Sequence, residues 1–192
     1  NLIAGNGGVG VRVEDMDFRS VNDTIADNVD AGIGMTGTLT RTTYLSNTIL
    51  WGHTEPFTGA HPVTQTMMAT CSAIEGGWTG AGNIDQNPSF VGGGDYHLRQ
   101  TSPAVNAAET AAAPALDLDG VPRPVPLGGG ADMGAFEWRL PGVDLTPGRS
   151  GTPEPGTQAV FTHTITNTGN AQDTFNVSAV SASGWSVEGG GL

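Results

Sequence analysis

An all-β fold, a parallel β-solenoid with a smaller β-module behind it, is what this sequence predicts, and three observations predict it. Ile3, Ile25, Ile49 and Ile74 recur at separations of 22, 24 and 25 residues. Three positions after each lies Asn6, Asn28, Gly52 or Gly77, residue types that tolerate left-handed backbone and so suit a sharp corner. The composition is turn-rich, with 30 glycines among 192 residues and only 14% charged. Repeats of this length are expected to stack as circuits, with equivalent strands about 4.8 Å apart and the isoleucines forming one ladder.

The strands follow in order. Eight positions after the first three isoleucines come Val11, Ile33 and Phe57, a second candidate column. Around them, "VGVRVEDMDF" and "AGIGMTGTLT" alternate large or apolar with small or polar residues, the period of a strand and not of a helix. "WGHTEPFTGAHPVTQTMMAT", residues 51–70, carries two prolines and two histidines, so part of it is expected to leave the circuit as a loop. Residues 71–98 hold seven glycines in twenty-eight positions, yet an apolar residue surfaces every few positions, as corner-work requires. After Phe90 the repeat breaks down, and the Ala-, Pro- and Gly-rich stretch 101–138 is expected to close the open end of the core. The solenoid is assigned to 1–138, a linker to 139–142 and the second module to 143–192.

The ordered motifs "NTILWG", "CSAIEGGWTGAGNIDQNPSFV", "GGDYHLRQTSPAVNAA", "LDLDGVPRPV" and "ADMGAFEW" resemble the C-terminal portion of the choice-of-anchor Q domain, related to polymorphic outer-membrane protein repeats. That resemblance covers roughly residues 1–138. It implies a right-handed parallel β-helix on a secreted or surface-displayed bacterial protein, without assigned catalytic residues. Family members often carry a separate anchoring element, and none is visible in these residues.

Beyond "RLPG", the stretch "VDLTPGRSGTPEPGTQAVFTHTITNTGNAQDTFNVSAVSASGWSV" is similar to the first half of a bacterial immunoglobulin-like surface repeat. "AVFTHTITN" and "TFNVSAV" alternate as strands, "NTGN" reads as the turn between them, and Trp185 as a core residue. A full sandwich takes about seven strands and about 100 residues, whereas only about 50 residues are present, so the sandwich is expected to be incomplete. Either the chain continues or a neighbouring copy covers the exposed face, a head-to-tail contact able to propagate.

Charge narrows the partners. Nineteen acids against seven bases give a net charge of −12, which repels a phosphate backbone and argues against nucleic acid. All seven bases are arginine; without lysine there is no Lys–Asn isopeptide staple and no lysine base. The lone Cys71 has no internal disulfide partner and reads as a buried thiol. No run of about 18 apolar residues exists to span a membrane as a helix. The chain opens at Asn1 without a signal peptide, which reads as an internal or processed piece of something longer.

Each candidate for chemistry has a structural alternative. "GNGGVG", residues 5–10, matches the dinucleotide fingerprint, but a strand pattern follows where a helix N-terminus is required. The pairs Asp15/Asp17 and Asp27/Asp30 have the residue type for acid/base work on a glycan, with Arg12 or Arg19 needed as the base of a lyase; a solvated acidic face is the alternative. His53, His61 and His97 lack the close spacing of zinc ligands. "DLDG" places Asp117 and Asp119 as candidate calcium ligands, or as a turn-stabilising pair; no other cofactor is implied. Trp51, Phe57, Trp78 and Tyr96 offer a sugar-stacking surface or the shield of a core. The Thr-rich "MTGTLTRTTY" reads as a hydrated exposed strand.

The expected function is therefore a noncatalytic extracellular or cell-surface module, structural or adhesive, whose partners are other copies of itself or surface glycans. The alternative is a carbohydrate-active enzyme, a polysaccharide lyase or glycoside hydrolase, on the same scaffold.

Overall fold

The computed structural model describes residues 1–58, 65–146, 148, 151, 154, 156–157, 159–171 and 173–178, in two compact units, Asn1–Arg139 and Leu140–Leu192. In the first unit the chain visits three sheets in rotation. β1 (Leu2–Ala4), β4 (Thr24–Ala26), β7 (Ile49–Trp51) and β10 (Ala73–Ile74) form sheet I; β2 (Val11–Glu14), β5 (Ala31–Thr36) and β8 (Glu55–Thr58) form sheet II; β3 (Phe18–Val21), β6 (Arg41–Ser46) and β9 (Gln65–Thr70) form sheet III. Every pairing within these three sheets is parallel, each strand bonding its counterpart one circuit later.

The core is made of columns that run through the circuits. Val11, Ile33 and Phe57 stack as the spacing predicts. The isoleucine ladder differs by one residue from its expected course. Ile3 pairs with Ile25, Ile25 with Leu50, and Leu50 with Ile74, so Leu50 and not Ile49 holds the third rung. Ile25, Leu50 and Ile74 are fully buried in one cluster with Ile33, Leu45 and Met67. Ile49 is equally buried, but on the opposite side of the strand, with Ala73, Leu98, Ala104 and Met133.

That second cluster exists because the closing segment runs along the outer wall of sheet I, not over the end of the stack as expected. Ala135 N–H donates to Thr24 Oγ1, Gly134 N–H to Asn47 O, and Ala108 N–H to Ala131 O. A Cβ on Gly134 would lie 2.6 Å from Thr24 Oγ1 and 2.7 Å from Ile49 Cδ1, and its φ of +87° is itself glycine-favouring. This strap is held by a buried ion pair. Arg123 and Glu137, with side chains 2% and 0% exposed, meet at 2.5 Å. Glu137 also accepts Val125 N–H and Asp132 N–H, so its oxygens are satisfied in a dry site. At the far end of the stack, Phe57 is covered by the tilted ring of Trp78, centroids 5.3 Å apart.

Two of the four expected corners hold and two shift by one residue. Gly52 and Gly77 are left-handed as expected, whereas Gly5 and Asp27 are left-handed in place of Asn6 and Asn28, which have ordinary dihedrals. Their side chains instead form a polar ladder: Asn6 Nδ2 donates to Asn28 Oδ1 at 2.7 Å, and Asn28 Nδ2 to Ile3 O. A second ladder, on the same 25-residue spacing, lies between sheets III and I. Asn22 and Asn47, both left-handed and buried, are joined by Asn47 Nδ2 to Asn22 Oδ1 at 3.0 Å. Both reach the strap, Asn22 to Asp132 O and Asn47 to Glu109 O.

The loop expected after Trp51 falls between β8 and β9, where residues 59–64 lie outside the described residues. A short antiparallel hairpin, β11 (Phe90–Gly92) with β12 (Asp95–Leu98), follows the stack. In the second unit β13 (Val143–Thr146) pairs antiparallel with β14 (Thr164–Asn167). "NTGN" turns as expected, with Gly169 N–H on Asn167 Oδ1, but residues 174–178 are not in a strand; Trp185 and the end of "TFNVSAV" lie outside the described residues.

Replacing Leu50 by Ala is expected to cost about 2–5 kcal/mol, as for a fully buried aliphatic side chain. Replacing Glu137 by Ala is expected to cost about 3–5 kcal/mol by stranding Arg123 in a buried site. Denaturant midpoints at constant m-value check both; a midpoint unchanged in the Leu50 variant overturns the placing of Leu50 on the third rung.

Candidate functional site

The acidic side chains singled out for chemistry mostly lie at corners, where an abrupt turn leaves backbone N–H groups without ladder partners. Asp15, itself left-handed, turns its Oδ1 to Thr38 N–H at 2.7 Å and Leu39 N–H at 2.8 Å in the next circuit. Asp17 Oδ1 accepts Thr42 N–H at 2.9 Å. Glu75 and Asp85 take Gly52 N–H and Gly76 N–H in the same manner. Asp27 accepts the Tyr96 hydroxyl at 3.0 Å, and burial followed by this bond raises the tyrosine's pKa. Asp30 contributes its backbone N–H to Gly8 O. The carboxylates of Asp15, Asp17 and Glu75 thus fasten one circuit to another.

The aromatic set does not form one platform. Phe57 and Trp78 pair at the end of the core, Trp51 packs against the outer cluster of sheet I, and Tyr96 meets Phe90 edge-on at 5.2 Å. His53 and His97 likewise have separate surroundings. His53 extends the Asn6–Asn28 ladder, accepting Asn28 N–H at Nδ1 and facing Ile25 O from Nε2 at 3.1 Å. His61 lies outside the described residues. Arg12 lies on β2 and Arg19 on β3; the guanidinium of Arg19 rests 4.4 Å from the centre of the Tyr44 ring. Cys71 is half-buried rather than buried; it occupies a left-handed corner, where its backbone N–H donates to Ala81 O. Gly5–Gly10 precedes a strand and meets no helix.

Asp117 uses both carboxylate oxygens locally. Oδ1 accepts Asp119 N–H and Val121 N–H, and Oδ2 accepts Glu137 N–H at 2.9 Å, the turn-stabilising arrangement. Asp119 faces elsewhere and completes a cluster that sequence reasoning did not find. His97 Nδ1 lies 2.6 Å from Asp95 Oδ1 and its Nε2 2.9 Å from Asp119 Oδ2, with Arg139 3.6 Å from the same Asp119 oxygen. The His97 ring stacks on Phe136, centroids 4.1 Å apart. Burial disfavours the charged imidazole, but hydrogen bonds to Asp119 and Asp95 and their negative charges outweigh it, and the pKa of His97 is raised. The His97 backbone N–H, and then its ring, lower the pKa of Asp95. Residues 95 and 97 share one side of β12, a spacing visible in the sequence; their partner at 119 is not. With both ring nitrogens engaged, the cluster clamps the hairpin to the strap and leaves no free imidazole nitrogen for proton transfer.

A second unforeseen group is Asp132, buried beside Arg123 and Glu137. Desolvation raises its pKa to about 7 against the opposing hydrogen bonds from Asn106 and Trp138 N–H. Near Asn22 a 200 Å³ depression is lined by Val21, Pro114, Leu116 and Leu118, with Asp23, Asp117 and Arg123 as its charged side chains. Among the described residues no group of three or more His, Cys, Asp or Glu side chains is placed to hold a metal ion, and no helix is long and apolar enough to cross a membrane.

The clamp has a pH signature. Because the folded pKa of His97 lies above its ordinary 6.5, its contribution is complete below that pH and is lost as pH rises through the folded value. Asp95 is shifted below its ordinary 3.8, so its contribution is present above that pH and is lost on acidification through the folded value. The stability difference between the parent and His97→Gln is therefore expected to be largest near pH 5 and to shrink toward pH 8. Paired denaturant titrations check this; a constant difference across that range removes the clamp. In comparisons with known proteins, the chain matches no family model, no curated protein and no solved structure.

Proposed function

We propose that the chain is a noncatalytic extracellular module of a bacterial surface or secreted protein, structural or adhesive in role. In this reading the three-sheet stack is a right-handed parallel β-helix and the second unit the opening part of an immunoglobulin-like sandwich. The observation that carries the reading is the use made of the acids. Asp15 and Asp17, the pair with the residue type for glycan cleavage, are hydrogen-bond acceptors for backbone N–H groups of the neighbouring circuit. Carboxylate oxygens committed to backbone N–H groups are not turned toward a bound glycan as an acid/base pair would have to be. The stack, its strap and its acidic net charge of −12 suit a rigid, soluble spacer or display element. Other copies of the chain and surface glycans are its proposed partners, with no cofactor required.

Two measurements test the proposal. Incubated with a panel of polysaccharides, the purified chain is expected to release no new reducing or unsaturated ends; release abolished by Asp15→Asn or Asp17→Asn would reverse the reading. Asp15→Ala is expected to lower stability by roughly 0.5–1.5 kcal/mol, the net scale of a hydrogen bond open to water. An unchanged denaturant midpoint would show that the carboxylate is not a fastener.

A further inference from the structure

The outer faces of the three sheets differ. Sheet I is covered by the strap, and on sheet II Gly34 is overlain by Val9. Sheet III is open. Its inward rows are Phe18–Thr43–Met67 and Ser20–Leu45–Ala69, with Thr43, Ser20, Leu45, Met67 and Ala69 all buried. The alternate rows face out: Arg19–Tyr44–Met68 in the middle, Val21–Ser46–Thr70 on one side and Thr42–Thr66 on the other. Val21 and Met68 are 38% and 55% exposed, and Arg19, Thr66 and Thr70 are also exposed.

None of these eight outward residues is acidic, on a chain that carries nineteen acids. The nearest acid in the rows, Asp17 at the rim, has one oxygen tied to Thr42 N–H. The face offers four aliphatic hydroxyls and a phenol, each both donor and acceptor, and a guanidinium with five N–H donors. Among the described residues Arg19 makes no hydrogen bond or ion pair, and its contact with the Tyr44 ring holds the guanidinium in place. Between the polar groups lie the apolar surfaces of Val21, Tyr44 and Met68.

From this pattern we infer that the outer face of sheet III is a docking surface for a neutral polysaccharide chain laid across the strands, along the rows. The inference rests on the adhesive reading above and names its ligand. A neutral sugar polymer presents hydroxyl rims and C–H faces, matching hydroxyl rows flanking an apolar ridge. An anionic polymer meets the field of the −12 chain before it reaches one arginine. A second copy is disfavoured by the same charge and by area. Six residues at about 3.3 Å by three strands at about 4.8 Å give a face of roughly 300 Å², far below the ~800 Å² per partner of a stable protein interface. The preset arginine and the rigid sheet reduce the ordering cost that a small contact has to overcome.

Native gels containing hydroxyethylcellulose, mixed-linkage β-glucan or galactomannan test the inference on the full chain, with polygalacturonate as the anionic comparison. At least one neutral polymer is expected to retard the parent. Tyr44→Ala and Thr66→Glu are expected to weaken that retardation tenfold or more, while Leu127→Glu, on an exposed turn elsewhere in the unit, leaves it unchanged. Amide shift mapping on the parent, which needs no variant to fold, is expected to place the largest changes within 42–46 and 66–70. No retardation by any neutral polymer, retardation by polygalacturonate alone, equal retardation of Thr66→Glu, or shifts outside sheet III overturns the inference. So does a concentration-dependent dimer abolished by Thr66→Glu, which assigns the face to a second copy. Loss of the inference without new reducing ends leaves the noncatalytic reading standing, whereas release of such ends defeats that reading itself.

Discussion

Every strand of the stack hydrogen-bonds to a counterpart 22–25 residues further along the chain, and this parallel pairing is the constraint on which the rest depends. Equivalent positions are brought to strand spacing, about 4.8 Å, so one residue type per column suffices to build a wall. Leucine and isoleucine make the inner columns continuous. The same stacking forces like charges together wherever a column is acidic, and the corners avoid that outcome. Asp15 faces Thr38 and Leu39 N–H groups, and Asp27 faces a tyrosine hydroxyl.

Two kinds of polar fastening result, and they differ in what surrounds them. Corner carboxylates are open to water, so each contributes modestly and is screened by salt. The asparagine ladders and the Arg123–Glu137 pair are buried, where a satisfied group is secure but a deserted partner is costly. The strap draws on the second kind. It reaches Thr24, Asn47 and Ala73 in three successive circuits, so its closure ties together elements that would otherwise touch only their neighbours. The exposed His97 clamp lies where the strap meets the hairpin, and its protonation acts on that junction alone.

Several of the acids sit at turns, where their carboxylates accept backbone N–H groups. Acids gather where the backbone turns and its N–H groups are unpaired. Among the described residues the outward side chains of sheet III are, apart from Arg19, hydroxyl, apolar and aromatic.

What the sequence determined by itself was the period, the all-β class, the Val11–Ile33–Phe57 column and the failure of "GNGGVG" to precede a helix. These are local or strictly repeating properties, and alternation with spacing reports them directly. What the tertiary structure decided was which side of a strand faces in when both sides are apolar. In "NTIL" the residues Ile49 and Leu50 are equally suited to the core, and a one-residue shift exchanges their faces. Only the strap, arriving from some 85 residues downstream, covers Ile49 and makes Leu50 the rung. The His97 clamp was hidden for the same reason: Asp95 lies two residues away, but Asp119 belongs to a turn of the strap whose path no local pattern records.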